Sequence, residues 1–434
     1  MESQLPWSLS NYGAKSLTNK LCECIVLAEF NIDSGSEVKI QYPSVLDGYT
    51  PDWLAEKMLP EGVHNREKDY TYILLNRNDK SIYDDERSDG KRFLYGINYV
   101  WNKHDSTVRR GAVVKAIAIF STYHFIDSFK KILEMALTTY YDQPTIETIE
   151  GLYKYINSID TACIPYPNRL DLMMMRRGVT GKSVGKNIAA HCPQSWYYDI
   201  GIDLYKQKIT VSIPLYNSPD ELGGEGINVS NLVKLFGHNI MKIYNALLNN
   251  LRIMFVGYNH AAQDVCHIVL SVVAMVSPCI PGIIKRTFPY STISDLSFLE
   301  CPGYISGVTN PMFTSKSSWW DVLCVLDIPN NTVSIETVED RKKNDKSKND
   351  ILDVSLSPAE IMGRESSSNG VISGDSTIPL HHNHAILDDN FFVEVHAGIV
   401  NRLSEAWVRQ KFIDYTTNII NYSLMGTDQI LGTI

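Results

Sequence analysis

The residues best suited to chemistry lie in one short basic segment, RRGVTGKSVGK, at residues 176–186. Its Gly181-Lys182-Ser183 is the ending expected of a phosphate-binding P-loop, whose backbone N–H groups surround the phosphates of a nucleotide. Such a loop needs a glycine five residues before Gly181, and that position is Arg176. The sequence therefore favours a solvated basic loop, with a P-loop-like enzyme that uses Lys182 and Ser183 as a rival hypothesis.

The same segment could bind a partner through charge. Four basic side chains, those of Arg176, Arg177, Lys182 and Lys186, cluster in a chain whose net charge is −9. Such a cluster can contact anionic lipid or an acidic protein surface. We predict these four residues as partner-binding residues, with simple solvation of a charged loop as the alternative.

No other constellation predicts a catalytic or metal site. His381, His382 and His384 could ligate a metal, but they lie in a polar segment without further ligands at fixed spacing. The eight cysteines lack CxxC pairing, so we interpret them as buried thiols. Glu221 and Glu225 flank a Gly-Gly turn rather than forming an acid–base pair. The sequence thus predicts no catalytic residue, no cofactor and no metal ion.

Net charge and the pattern of apolar residues argue against a nucleic-acid-binding protein and against a membrane-spanning protein. The 434 residues are 44% hydrophobic and 21% charged, as is usual for globular proteins, and would suffice for two or three domains. A net charge of −9 argues against nucleic-acid binding, which usually needs a basic surface. The apolar run at 261–277 contains Asp264 and His267 and is shorter than the roughly 20 apolar residues of a membrane span. With no apolar N-terminal region, we expect a cytoplasmic protein without a transmembrane segment.

Strand and helix patterns predict an α/β protein. Residues 1–160 contain five strand-like segments rich in β-branched and aromatic residues, at 22–30, 38–43, 70–76, 92–101 and 113–120. Two amphipathic helices follow between Phe125 and Ile159. This order predicts an N-terminal domain with a sheet flanked by helices. Residues 161–200, with many Pro, Gly and basic residues, are predicted to be a linker.

A second α/β domain is predicted at residues 201–337. Its signals are a strand at 208–216, a helix at 229–248, an apolar strand at 251–258, a helix at 261–277, and strands at 321–328 and 332–336. We expect Asn259 to cap the helix that starts at 261. Residues 338–384 are predicted to be disordered, because their polar composition cannot offset chain entropy. The segment 385–434 carries one long amphipathic helix, from Asp389 to Leu424.

Several of these segments carry a family resemblance. They are EFNIDSGSEVKIQYP at 29–43, the stretches at 54–76 and 93–105, the strand–helix pair at 252–278, and FPYSTISDLSFLECPGYISGVTNPMF at 288–313. Together they resemble DENN modules. Within those modules they look most like the fungal branch that joins an Arf-docking N-terminal region to a stabilisation-of-polarity-axis region.

The resemblance implies both a fold and a function. The implied fold is a longin-like N-lobe, a Rossmann-like central lobe and a short helical C-terminal part. The implied partner is a small GTPase of the Arf or Rab class, in vesicle trafficking and polarised growth, with peripheral membrane association through that partner. An exchange factor needs no covalent chemistry, since it binds the nucleotide-free GTPase better than the GDP form. The alternative is a non-catalytic effector that docks the GTP-bound GTPase.

The loop at 285–313 is the predicted partner-binding face. Its aromatic side chains, Tyr290, Tyr304 and Phe313, are expected to be exposed there. Aromatic residues of this kind are frequent anchors in protein interfaces. The remaining residues of the 252–313 region are interpreted as structural.

Overall fold

The computed structural model describes residues 20–31, 33–76, 93–106, 112–159, 197–205, 207–214, 226–277, 279–280, 282–338, 340 and 380–431. Within these ranges it contains two five-stranded sheets, one two-stranded sheet and the helices that pack on them. The fold is mixed α/β, as predicted. The basic segment that holds Arg176, Arg177, Lys182 and Lys186 lies outside the described residues, so its predicted role stays a prediction.

The N-terminal sheet is antiparallel. Its strands are β1 Cys24–Asn31, β2 Gly35–Tyr42, β3 Lys68–Asn76, β4 Phe93–His104 and β5 Ala112–Ser121, in the order β2-β1-β5-β4-β3. Side chains alternate between the two faces of each strand. Val26 and Ala28 pack on helix α1 Pro51–Met58, while Ile25 and Leu27 face helices α2 Lys130–Asp142 and α3 Ile146–Ile156. We call the described residues 20–159 the N-lobe.

A two-stranded hairpin packs on the N-lobe. Its strands, β6 Tyr197–Leu204 and β7 Gln207–Pro214, pair in antiparallel register. Ile209, Val211 and Ile213 are buried, and the Ser128 hydroxyl donates to the Ser212 carbonyl at 2.7 Å. The strand predicted at 208–216 therefore belongs to this hairpin rather than to the sheet of the second α/β unit, and β6 begins inside the segment predicted as a linker.

The central sheet is mostly parallel. Its strands are β8 Ile253–Val256, β9 Thr287–Phe288, β10 Ile305–Val308, β11 Val322–Asp327 and β12 Thr332–Thr337, in the order β12-β11-β8-β10-β9. Strand β12 pairs antiparallel with β11, and the other pairings are parallel. All four residues of β8 are buried, which fits the apolar run read from the sequence. We call residues 226–338 the central lobe.

Three helices cover the central sheet. They are α4 Val229–Phe236, α5 Ile240–Leu248 and α6 Ala262–Val276. The single helix predicted at 229–248 is therefore interrupted. Gly237 has φ +54° and ψ −141°, a conformation that ends α4 and starts the turn before α5. Helix α6 matches its prediction within a residue at each end.

The C-terminal segment forms two helices rather than the one predicted. Helix α7 Leu380–Val400 and helix α8 Glu405–Leu431 fold back on each other around Arg402, which has φ +60°. The Ser404 hydroxyl accepts from the Trp407 N–H at 3.2 Å and so starts α8. Helix α7 begins within the segment predicted to be disordered. The side chains of His381, His382 and His384 lie outside the description.

Candidate partner-binding interface at the lobe junction

A carboxylate of the N-lobe caps a helix of the central lobe. Asp69, buried at the start of β3, accepts from the Ala262 N–H at 2.8 Å through Oδ2 and from the Gln263 N–H at 3.1 Å through Oδ1. These N–H groups have no partner within α6, and a negative charge at this end complements the helix dipole. The cap predicted at Asn259 is wrong: Asn259 takes φ +63° in the preceding turn, and its carbonyl accepts from Arg66.

A buried ion pair forms the second link between the lobes. Asp295 accepts from the Trp53 indole N–H and from the Lys57 ammonium, both at 2.9 Å. Burial acts to raise the pKa of Asp295, but hydrogen bonds from Ser297 and Lys57 and the charge of Lys57 lower it to about 2. Burial lowers the pKa of Lys57, against the attraction of Asp295. Helix α1 places both N-lobe partners, since Trp53 and Lys57 lie one turn apart.

Tyr290 provides a third link and is not an exposed anchor. It is only 4% exposed; its hydroxyl accepts from the Glu61 N–H at 2.9 Å and lies 3.0 Å from the Thr309 hydroxyl. The Glu61 carboxylate in turn accepts from the Ile293 N–H at 2.9 Å. Tyr290 therefore holds the 61–66 turn of the N-lobe against the central lobe.

The expected exposure of the other two aromatic residues is also wrong. Tyr304 and Phe313 are fully buried. The Tyr304 hydroxyl donates to the Trp319 carbonyl, and Phe313 packs on Phe298 and Trp319. The loop folds over one face of the central sheet, and these rings supply the apolar area that covers it. Their predicted role as partner-binding residues loses its physical basis.

A polar cluster completes the junction. Tyr72 of β3 donates to Asp127, which also accepts from Lys130 at 2.7 Å, and His267 of α6 lies 2.9 Å from the Tyr72 hydroxyl. Burial acts to raise the pKa of Asp127, but these neighbours outweigh it and hold the pKa well below its usual value. A Cβ at Gly226 would lie 1.9 Å from the His267 ring, so the cluster requires glycine there.

Exposed apolar side chains follow two neighbouring strands of the central sheet beside this junction. Strands β8 and β10 are parallel neighbours, and the residues that follow them include Tyr258, Pro311 and Met312, all exposed. We call these three residues the edge patch. Beside it, the Arg66 guanidinium donates to the carbonyl of Asn259. Ligands of open α/β sheets bind beyond the carboxyl ends of the strands, and exposed aromatic, Met and Arg side chains are enriched in protein interfaces.

The described ranges support neither a metal site nor a membrane-spanning helix. No group of three or more His, Cys, Asp or Glu side chains there could hold a metal ion. Among those same residues, no helix is long and apolar enough to cross a membrane. Sequence reasoning missed Asp69, Lys57 and His267; a charged residue at the start of an apolar strand was the available signal for Asp69.

Two family models match this chain, one on each lobe. The docking domain of Afi1 for Arf3 in vesicle trafficking matches residues 24–109, from β1 to the end of β4. The stabilization of polarity axis model matches residues 227–337, the central lobe. The Arf-docking and polarity-axis parts of the resemblance are thereby confirmed, while the DENN assignment stays a prediction.

A curated protein is similar over most of the chain. It is an AFI1-like protein of Schizosaccharomyces pombe, 27% identical over 372 residues, and the alignment covers 72% of this chain. The chain spans 59% of the length of that relative. The lobe junction lies between the two matched regions, because Trp53, Lys57 and Asp69 come from the first and Ala262, His267 and Asp295 from the second.

Proposed function

We propose that this chain is a docking module for a small GTPase of the Arf class, acting in vesicle trafficking and polarised growth. The proposal rests on the direct contacts between the two matched regions. The region similar to an Arf-docking domain caps α6 of the polarity-axis region through Asp69 and pairs with it through Lys57 and Asp295. The two regions therefore present one continuous surface to a partner.

The edge patch is the docking surface that we assign to the GTPase. Tyr258 is 55% exposed and Met312 is 43% exposed, whereas most large apolar side chains nearby are buried. Both follow strands of the central lobe, and Arg66 of the N-lobe lies against the same turn. A partner seated there contacts both matched regions at once. Recruitment to membranes or the cell periphery would follow from binding a membrane-associated GTPase.

Exchange activity is the alternative mode of action. The antiparallel N-lobe sheet and the mostly parallel central sheet are compatible with a longin-like lobe and a Rossmann-like lobe. A DENN-type module with these lobes would release nucleotide from a Rab or Arf GTPase by binding the nucleotide-free form best. An effector would instead bind the GTP form and leave release unchanged. The family-model descriptions favour docking over exchange.

One assay set tests the proposal and separates these modes. The purified chain is mixed with Arf and Rab GTPases that carry fluorescent GDP or a non-hydrolysable GTP analogue, and binding and nucleotide release are both measured. We expect binding to an Arf-class GTPase in its GTP form with unchanged release. Accelerated release would instead establish an exchange factor, and binding to no GTPase in any state would overturn the proposal.

Two edge-patch variants locate the surface. Tyr258→Ala and Met312→Ala should each weaken GTPase binding by about tenfold, as loss of an interface anchor does. Val393→Ala on α7, where the side chain is 64% exposed, is the matched control and should bind as the wild type does. Wild-type affinity in both edge-patch variants would place the GTPase elsewhere.

Nucleotide hydrolysis abolished by Lys182→Ala would support the rival P-loop enzyme.

A further inference from the structure

A second exposed surface lies where β3 begins and β4 ends. Lys68 of β3 and Trp101 of β4 are cross-strand neighbours, and Lys103 follows Trp101 by two residues, so all three lie on one face of the sheet. Tyr141 of α2 packs edge-on against Trp101, with ring centroids 5.0 Å apart. We call Lys68, Trp101, Lys103 and Tyr141 the basic–aromatic patch.

Both ammonium groups of the patch are held by one indole ring. The Lys68 Nζ lies 5.7 Å from the Trp101 ring centroid and the Lys103 Nζ lies 5.4 Å from it. The Lys103 Nζ is also 4.9 Å from the Tyr141 ring centroid. The Tyr141 hydroxyl lies within hydrogen-bond distance of the Trp101 and Val113 carbonyls, which fixes the ring. Cation–π attraction therefore orders two lysines that would otherwise be mobile.

Neither lysine has an acidic partner among the described residues. In the described part of the N-lobe, Lys57, Lys115 and Lys130 each pair with a carboxylate. Lys68 and Lys103 pair with none there, although the chain as a whole has an excess of acidic residues. A bound anion would supply the counter-charge that the described carboxylates do not give these two ammonium groups.

We propose that the basic–aromatic patch binds the phosphorylated headgroup of an anionic membrane lipid. The patch is an open surface rather than an enclosed pocket: Lys68 is exposed, and the Trp101 and Tyr141 rings are half-buried. Trp, Tyr and Lys side chains are suited to the headgroup layer, where an apolar body and a polar tip are both satisfied. This binding is separate from GTPase docking and would hold the chain at the surface where its partner resides.

Vesicle co-sedimentation tests this site with the full chain. The probes are vesicles of phosphatidylcholine alone and vesicles that also contain a phosphatidylinositol bisphosphate. We expect binding only to the anionic vesicles, weakened by salt because the contacts are exposed. Lys68→Ala and Lys103→Ala should each reduce the partition coefficient by about fivefold, since one lysine near an anionic bilayer contributes roughly 1 kcal/mol.

Lys316→Ala is the matched control. Lys316 is also exposed and lies 5.9 Å from a tryptophan ring centroid, that of Trp319, but no second lysine of the described residues shares that ring. Its variant should partition as the wild type does. Equal binding to neutral vesicles, an unchanged double variant of Lys68 and Lys103, or an equal loss in the control would each overturn the proposal. Binding of a soluble inositol phosphate without binding to vesicles would also overturn it.

Failure of lipid binding can be told from failure of GTPase docking. Docking is measured in solution without lipid, where Lys68→Ala and Lys103→Ala should behave as the wild type does. Both substitutions replace lysines on the surface of the sheet, so both variants are expected to fold as the wild type does. A thermal unfolding curve that matches the wild type confirms that either variant is folded.

Discussion

The central lobe has two junctions that differ in chemistry. Toward the N-lobe, the contacts are directional and polar: Asp69 on α6, Lys57 on Asp295, and His267 on Tyr72. Toward the C-terminal helices, an aromatic cluster adds to the polar contacts. Tyr244 of α5 lies against Phe412 and Tyr415 of α8, and both of these rings pack on Phe391 of α7. We call this second contact the aromatic seam.

Both junctions nevertheless contain a carboxylate that caps a helix of the central lobe. Glu405 at the start of α8 accepts from the Val229 and Ser230 N–H groups at 2.7 and 2.9 Å, and so caps α4 as Asp69 caps α6. In both places a carboxylate distant in sequence sets the angle of a central-lobe helix. Around the cap, the aromatic seam buries apolar surface. Burial of apolar surface is the dominant favourable contribution to the free energy of folding. The lobe junction instead uses hydrogen bonds and the Lys57–Asp295 ion pair, whose net stabilisation is small but whose geometry is specific.

The largest expected effect comes from the aromatic seam. Phe412 is 1% exposed, and Phe412→Ala should lower the free energy of unfolding by about 3–5 kcal/mol, because it removes a buried ring and leaves a cavity. Urea denaturation measures the change. Val393→Ala, at an exposed position of α7, should change the same free energy by less than about 0.5 kcal/mol. A Phe412→Ala cost as small as that of the control would show that the seam adds little to stability.

A smaller effect is expected at the lobe junction. Asp69→Ala should cost about 2–3 kcal/mol in urea denaturation, because it removes a helix cap and leaves buried N–H groups at Ala262 and Gln263 without a partner. Asp69→Asn retains one acceptor oxygen and should cost less. If both substitutions cost the same, the carboxylate acts by charge alone rather than as a hydrogen-bonding cap.

Sequence patterns predicted the elements well where the signal is local. Strands β3, β4 and β5 and helix α6 agree with the segments at 70–76, 92–101, 113–120 and 261–277 within a few residues, because apolar periodicity is set by each element's own burial. The break in the predicted 229–248 helix was signalled by Gly237, since glycine inside a helical pattern weakens it. The break at Arg402 had no such signal, because the left-handed conformation there belongs to a residue other than glycine.

The contacts that build the junction had no local signal. Asp69 and Ala262 are 193 residues apart, and nothing in either segment specifies the other. The error over Tyr290, Tyr304 and Phe313 has a related cause. Loops lack the periodicity that separates an inner from an outer face, so aromatic side chains there can equally cover a sheet or face a partner. The exposed residues of the same region, Tyr258 and Met312, were not singled out.

Acid should weaken the lobe junction more than the aromatic seam, and this is the smallest effect we expect. Asp295 has its pKa lowered to about 2, and the pKa of Asp127 is also held below its usual value near 4. A carboxyl with a depressed folded pKa stabilises the fold above the unfolded pKa and loses that contribution as pH falls toward the folded one. Between about pH 5 and 2, Asp295 should therefore lose roughly 2 kcal/mol of stabilisation.

Comparison of the wild type with Asp295→Asn isolates this contribution from that of the other acidic residues. The variant leaves Lys57 buried without its ionic partner and should be less stable near neutral pH, but its free energy of unfolding should fall less steeply as pH is lowered. Urea denaturation at a series of pH values measures both slopes. Parallel slopes would mean that the Lys57–Asp295 pair does not contribute to acid sensitivity, and the contrast between the two junctions would then rest on the Asp69 cap and the His267 cluster alone.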